Sequence, residues 1–115
     1  MTDIKFFINK NDKNFVGFEC SGHSGYGESG KDVLCATLSG ITQSIVLGLK
    51  NVCGIKIKFK RKEKDGYIKV ELPKDIDSSS LKDAQILFGT LYEAVRDLSS
   101  GYSKYISMEV IENDY

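Results

Sequence analysis

Residues 55–72 read IKIKFKRKEKDGYIKVEL, and this stretch decides the fold class. Its first half alternates apolar and basic residues, which is the two-residue period of a half-exposed strand. Asp65-Gly66 is a strong hairpin signal, and residues 67–72 return as a partner strand that Pro73 ends. The stretch therefore predicts an antiparallel hairpin, and with it a sheet built mainly from antiparallel pairs.

A second hairpin is predicted upstream. Residues 4–9 and 15–20 are short, β-branched and rich in aromatic residues, and the polar cluster 10–14 lies between them. Such a pattern is typical of two strands joined by a turn. Residues 21–31 carry four glycines and almost nothing to bury, which predicts a loop.

Two amphipathic helices follow from the spacing of apolar residues. The first is expected to open with Asp32 as its N-cap and to end at Gly54. The second is expected to start at a variant capping box over 80–83 and to stop at Gly101. Their predicted inward residues are Leu34, Leu38, Ile41, Ile45, Leu49 and Val52 in the first, and Leu81, Ala84, Leu87, Leu91, Val95 and Leu98 in the second.

A last strand over 105–111 completes the order β-β-α-β-β-α-β. The two hairpins favour antiparallel pairing, with both helices packed on one face of the sheet. The sequence thus predicts a single α+β domain over residues 1–115. Its architecture is a two-layer sandwich with a mainly antiparallel sheet of about five strands.

Composition excludes several classes of function. The 115 residues carry 16 basic and 16 acidic side chains, so a globally basic nucleic-acid binder is excluded. There is no basic-then-apolar signal segment at the N-terminus, and no stretch is expected to reach the ~20 apolar residues of a membrane helix. Three scattered cysteines do not form a disulfide framework. We therefore expect a reduced, cytoplasmic protein.

His23 and Cys35 carry the most specific chemical signal. His23 is the single histidine and lies in the Gly-rich loop, whereas Cys35 follows Asp32 near a helix start. The unsatisfied N–H groups and positive dipole of a helix start favour a thiolate. A thiolate within reach of an imidazole is the minimum equipment for cysteine nucleophilic catalysis, and the same N–H groups could bind an oxyanion. The competing interpretation of Cys35 is a small buried helix residue.

The sequence gives weaker indications of function for the residues around His23 and Cys35 and for the other two cysteines. Asp32 fits a helix cap and equally a residue that orients the imidazole. Ser39, four residues after Cys35, shares its helix face and either contacts the site or bonds back to a helix carbonyl. For Cys20 and Cys53 the sequence favours purely structural roles.

Two ligand-binding alternatives are weaker. Residues 25–30 match the dinucleotide pattern G-x-G-x-x-G, but four residues separate them from the strand and no parallel βαβ unit is expected. Gly25, Gly27 and Gly30 fit better as hinges of a loop that covers a site. A zinc site from Cys20, His23, Asp32 and Cys35 lacks the second close pair of ligands that structural zinc prefers. We expect no metal and no cofactor.

The basic run between Lys56 and Lys64 supports an alternative function. It could make the protein a non-catalytic ribosome- or RNA-associated module. The favoured interpretation is the solvated face of a strand, where lysines protect a sheet edge from pairing with other chains. On that interpretation, no membrane and no direct nucleic-acid contact is required for function.

Gly22-His23 followed by DVLCATLS at 32–39 resembles the signature of the ribosomal-processing cysteine protease family, Prp. That signature is G-H, a Gly-containing loop, then D-[IV]-hydrophobic-C-A-x-x-S. The length and element order also resemble the family, so the likeness covers essentially the whole chain.

The resemblance implies a homodimeric cysteine endopeptidase. Members look like small α+β domains that remove an N-terminal extension from large-subunit ribosomal protein L-twenty-seven. Carried over residue by residue, the resemblance makes Cys35 the nucleophile and His23 the general base. Asp32 and Ser39 become supporting signature residues, and Gly22 positions the histidine.

Overall fold

The computed structural model describes residues 2–22, 31–62 and 66–113. These residues form five strands and two long helices: β1 (Thr2–Asn9), β2 (Phe15–Ser21), α1 (Lys31–Leu47), β3 (Lys58–Lys62), β4 (Tyr67–Glu71), α2 (Ser78–Gly101) and β5 (Ile106–Asn113). The predicted order β-β-α-β-β-α-β is confirmed, and so is the α+β class.

The five strands form one mixed sheet in the order β3-β4-β2-β1-β5. Both predicted hairpins are present, because β1 pairs antiparallel with β2 and β3 pairs antiparallel with β4. The pairing of β2 with β4 is also antiparallel, whereas β5 runs parallel to β1. The sheet is therefore mainly antiparallel, with one parallel pair that brings the two ends of the chain together.

The two helices lie on one face of this sheet and enclose the core. Alternation places Phe6 of β1, Phe18 of β2 and Val70 of β4 on that face, where each is fully buried. Phe88 and Leu91 of α2 pack against them. Burying apolar surface of this kind is the dominant favourable term in folding.

The first helix differs at both ends from its prediction. It begins at Lys31, so Asp32 is the second helical residue instead of the N-cap, and Cys35 is the fifth helical residue instead of the third. Beyond Leu47 it continues as a π-helical turn, Gly48–Val52. Gly54 follows with φ +65°, so it does end the helix in the left-handed conformation that favours glycine.

The start of β3 also differs, because residues 55–57 lie outside the strand. The Ile55 N–H donates to the carbonyl of Leu49 at 2.9 Å, and the Ile57 N–H donates to the carbonyl of Ile55 at 3.0 Å. The first bond ties Ile55 to the preceding helical turn, and the second closes a tight turn within residues 55–57. The ladder with β4 therefore opens at Lys58, paired with Glu71.

The second helix starts earlier than the predicted capping box over 80–83. Its N-cap is Asp77, whose Oδ1 accepts from the Ser80 N–H at 2.7 Å. This hydrogen bond satisfies one of the donors that a helix start leaves without an intrahelical partner. The capping box was therefore wrong, although Gly101 is the last residue of the helix as predicted.

The prediction that no segment is apolar enough to cross a membrane was also wrong on length and composition. The helical run Val33–Val52 spans 20 residues, reaches a mean hydropathy of 1.4 and contains one charged residue, Lys50. Half of its residues are aliphatic, and these hold the mean hydropathy high. One side of the run, including Leu34, Leu38 and Leu49, is buried against the sheet.

Candidate active site

A cavity of about 310 Å³ opens between the first turns of α1 and the β2–β4–β3 part of the sheet. Three of its lining residues, Gly22, Cys35 and Ser39, belong to the sequence signature. The other lining residues are Thr2, Cys20, Leu38, Thr42, Gln43, Arg61, Lys62, Gly66, Tyr67 and Ile68. The structure thus brings together the end of β2 and the start of α1, which are separated in sequence by the Gly-rich segment.

Cys35 lies in the second turn of α1 and is half-buried. Side chains on a helix lean toward its N-terminus, so the Cys35 thiol is directed back over the first turn. The N–H groups of that turn have no intrahelical acceptors and form the positive end of the helix dipole. An oxyanion formed beside the sulfur is therefore favoured at this place.

Gly22 ends the described part of the chain that precedes His23, and it lines the same cavity as Cys35. Its φ of +113° lies in a region that L side chains rarely adopt, so the conformation there favours glycine. His23 and the loop glycines Gly25, Gly27 and Gly30 lie outside the described residues. The side chain of Asp32 also lies outside them.

Ser39 is one helical turn after Cys35 and lines the cavity beside it. Its Oγ accepts a hydrogen bond of 3.2 Å from Nε2 of Gln43, another turn along the same face. Thr42, by contrast, uses its hydroxyl to donate to the carbonyl of Leu38 at 2.8 Å. Ser39 thus lines the cavity, and its supporting role in the site stays a prediction.

Cys20 lines the cavity, although the sequence predicted a purely structural role for it. It is 7% exposed, on the inward face of β2, and lines the cavity together with Cys35. Burial above all, and then the charges of Cys35 and Asp3, raise the pKa of the Cys20 thiol to about 11. Cys20 lies at the end of β2 on the same face as Phe18, and this two-residue spacing could have predicted that its side chain faces the helices.

The β3–β4 hairpin supplies a polar rim that the sequence did not reveal. Tyr67 lies at this rim, and its hydroxyl donates to Oε2 of Glu19 at 2.8 Å. That bond to the carboxylate raises the pKa of the Tyr67 phenol. Arg61 and Lys62 add positive charge to the same side of the cavity.

Among the described residues, Lys58 and Lys60 of the basic run also lie on β3, which forms one edge of the sheet. Every residue of Lys58–Lys62 is exposed. Lysines on an edge strand discourage pairing with other chains, so the position of the run agrees with the favoured interpretation of a solvated edge.

Curated and solved relatives resemble this chain along most of its length. The "Ribosomal processing cysteine protease Prp" of Bacillus subtilis (strain 168) is 27% identical over 104 residues, which cover 90% of this chain and 81% of that protein. The crystal structure of SMU.848 from Streptococcus mutans superposes with a TM-score of 0.85 at 24% identity, covering 98% of this chain and 96% of that one.

A protease structure has the same fold. The essential ribosomal processing protease Prp from S. aureus, solved in complex with a substrate peptide, superposes with a TM-score of 0.83 at 15% identity. The match covers 96% of this chain and all (100%) of that one. At such identities the two solved structures establish the shared fold.

The sequence model of the family described as "Cysteine protease Prp" matches residues 1–107, which is nearly the whole chain. That match agrees with the resemblance carried by residues 22–39 and with a cavity that a cysteine and a glycine of the signature line together. The chain belongs to the Prp family of cysteine proteases.

Proposed function

We propose that this protein is the endopeptidase that removes the N-terminal extension of ribosomal protein L-twenty-seven, with Cys35 as nucleophile and His23 as general base. The observation that carries the proposal is the shared cavity of Cys35 and Gly22, the residue directly before His23. The curated relative in Bacillus subtilis, named for ribosomal processing, supports the substrate class.

The first chemical step is attack by the Cys35 thiolate on the scissile carbonyl. The developing oxyanion forms beside the first turn of α1, where backbone N–H groups without intrahelical acceptors stabilise negative charge. His23 takes the thiol proton and then donates it to the leaving amine. Water, activated by the same imidazole, hydrolyses the resulting thioester and releases the thiolate of Cys35.

The cavity has the composition that a peptide site needs. Buried Leu38 and Ile68 give it an apolar floor for a substrate side chain, whereas Ser39 and Gln43 of α1 offer polar groups at its wall. Sites of this size, with an apolar lining and a few placed polar groups, are typical of small binding clefts. An extended substrate segment enters between α1 and the β3–β4 hairpin and presents its carbonyl to Cys35.

We place the reaction in the cytoplasm, where glutathione and thioredoxin keep thiols reduced. A reduced compartment suits a nucleophilic cysteine. The homodimer implied by the family resemblance remains a prediction, which light scattering on the purified protein would measure.

The test is incubation of the purified protein with L-twenty-seven carrying its N-terminal extension, read by intact mass. Wild type, Cys35→Ala and His23→Ala are compared, with Cys53→Ala as a matched thiol control at the far end of the α1 helical run. The proposal predicts one defined N-terminal loss with wild type and Cys53→Ala, and none with the other two variants. Cleavage by Cys35→Ala, or no cleavage by folded wild type, would overturn it.

A further inference from the structure

Cys20 is a buried thiol for which the proposed peptidase mechanism has no use. It lies at the end of β2 and faces the same cavity that α1 lines with Cys35. All three cysteines are in the thiol form. The side chains of Cys20 and Cys35 border one shared space of about 310 Å³.

The two thiols also interact electrostatically. Negative charge on Cys35 contributes to the raised pKa of the Cys20 thiol, after burial and ahead of Asp3. Cys53, in contrast, follows Cys35 by 18 residues along the same helical run. At 1.5 Å per residue this puts Cys53 about 27 Å away, so Cys20 is the only nearby thiol among the described residues.

We propose that Cys20 and Cys35 form a reversible disulfide when hydrogen peroxide oxidises Cys35. This inference concerns a modification site, and it rests on the proposed function for the reactivity of Cys35 and for its consequence, the loss of the nucleophile. A cysteine that is reactive as a thiolate is also the one that peroxide attacks first.

The reaction proceeds in two balanced steps. In the first, the Cys35 thiolate attacks one oxygen of hydrogen peroxide, the O–O bond breaks, and hydroxide leaves, which gives Cys35 sulfenic acid. In the second, the Cys20 sulfur attacks the Cys35 sulfur, the S–O bond breaks, and the hydroxyl leaves as water with the Cys20 proton. The two cysteines lose two electrons in total, and the peroxide gains them.

The environment of Cys20 suits a thiol that reacts only after Cys35 has been oxidised. Buried and protonated at neutral pH, Cys20 is protected from direct oxidation, because the thiolate is the reactive form. Conversion of the Cys35 thiolate into a neutral sulfenic acid removes one of the charges that raise the pKa of Cys20. Cys20 therefore becomes easier to deprotonate once Cys35 has been oxidised.

The disulfide protects the nucleophile from damage that cannot be reversed. Without a second thiol, sulfenic acid goes on to sulfinic and sulfonic acid, whereas a disulfide is returned to two thiols by exchange with a reducing thiol. The expected consequence is a peptidase that is silenced by peroxide and recovers on reduction.

Trypsin separates the three cysteines, which makes the test direct. Cleavage after lysine places Cys20 in peptide 14–31, Cys35 in peptide 32–50 and Cys53 in peptide 51–56. The reduced protein is treated with hydrogen peroxide, its remaining thiols are alkylated, and the digest is read by mass spectrometry. No substrate is needed, so a failure of this inference is distinguishable from a failure of the proposed function.

The expected main product is peptide 14–31 joined to peptide 32–50 with the loss of two hydrogen atoms, and dithiothreitol reverses it. Cys53→Ser gives the same product. Cys20→Ala instead gains two or three oxygen atoms on Cys35, and its activity does not return on reduction. Alkylated Cys20 in wild type beside sulfinic or sulfonic Cys35, or a cross-link that contains Cys53, would overturn the inference. Mapping of wild type decides the question even where Cys20→Ala folds poorly.

Discussion

The side chain of Gln85 in α2 makes two hydrogen bonds to the backbone of Phe15 at the start of β2. This is the pair of bonds that a residue of a neighbouring strand would make. Oε1 of Gln85 accepts from the Phe15 N–H at 2.6 Å, and its Nε2 donates to the Phe15 carbonyl at 2.8 Å. The register of β1 with β2 shifts between Phe7 and Ile8, next to this point. One amide side chain thereby satisfies both backbone groups of a part-buried residue and fixes α2 on the sheet.

Replacing Gln85 with Leu should lower the free energy of unfolding by about 1–3 kcal/mol. The reason is that both polar groups of Phe15 lose their partner while the leucine keeps the site from water. Urea unfolding followed by circular dichroism measures the change. Ile86→Ala, next to it on α2 and 67% exposed in wild type, is the control and should change little; equal effects of the two variants would disprove the role of the pair.

Gly17→Ala should destabilise the protein by roughly 1–3 kcal/mol, as overpacking generally does. A Cβ at Gly17 would overlap the carbonyl oxygen of Val70, a backbone atom of the adjacent strand β4. Gly89 in α2 offers the matched comparison, because nothing lies within 4 Å of the Cβ position there. Gly89→Ala should raise stability by about 0.5–1 kcal/mol, measured in the same urea series; a Gly17→Ala protein as stable as wild type would contradict the close approach of β2 and β4.

The raised pKa of the Cys20 thiol predicts that the folded protein loses stability at alkaline pH. Its pKa is about 11 in the folded protein against 9.0 for an ordinary thiol, so between these values the unfolded chain releases a proton that the native protein keeps. Stability therefore falls as pH rises through this window, by about 3 kcal/mol when complete, and is fully present below pH 9.

Urea unfolding at pH 7.5 and pH 10 with reductant checks this for wild type and Cys20→Ala. Cys20→Ala should start from a lower stability, because a buried group is missing, but should lose less between the two pH values. Cys53→Ala should keep the wild-type slope. Parallel slopes for wild type and Cys20→Ala would mean that Cys20 ionises as easily when buried as when unfolded.

Asp77 tests which residue caps α2. Removing the cap with Asp77→Ala should lower Tm by roughly 4–8 °C, whereas Asp83→Ala, at the acid of the predicted capping box, should leave it nearly unchanged. The hydrogen bond from the Ser80 N–H lowers the pKa of the Asp77 carboxyl below its usual 3.8. Its contribution is therefore present above pH 3.8 and disappears as pH falls through the folded-state pKa.

Asp77→Asn separates the cap from its charge. Asparagine also accepts a hydrogen bond at an N-cap but does not titrate, so this variant should keep most of the Tm at pH 7 and lose the acid-dependent part. Thermal unfolding monitored at pH 7 and pH 3 measures both. A larger decrease in Tm with Asp83→Ala than with Asp77→Ala would contradict the Asp77 cap and support the predicted capping box over 80–83.

Local patterns predicted the elements well, because hairpins and amphipathic helices are encoded by residues near each other in sequence. The antiparallel hairpins and the inward faces of Leu34 and Leu91 followed from such patterns. The parallel pairing of β1 with β5 did not, since it joins Thr2 to Ile106 across the whole chain. Phe88 was missed for a related reason: periodicity favoured Leu87, and only packing against β2 decides between neighbouring residues.

In the site, too, the residues on one helix could be predicted from the sequence, whereas those on distant strands could not. Cys35 and Ser39 were predicted to share a face because they are four residues apart on one helix, and both line the cavity. Cys20 and Tyr67 reach it from β2 and β4, and no spacing in the sequence brings these strands to the start of α1. Residues that the sheet contributes to a helix-borne site are therefore the part that required the three-dimensional structure.

The most direct test of the account is the rate of cleavage of an extension peptide by single-cysteine variants. Cys35→Ala, Cys20→Ala and Cys53→Ala are compared with wild type by kcat/KM, with folding checked by circular dichroism. The account predicts a loss of roughly 10³-fold or more for Cys35→Ala. It predicts measurable activity for the other two variants. A folded Cys35→Ala protein that cleaves the peptide at the wild-type rate would contradict the assignment of Cys35 as the nucleophile.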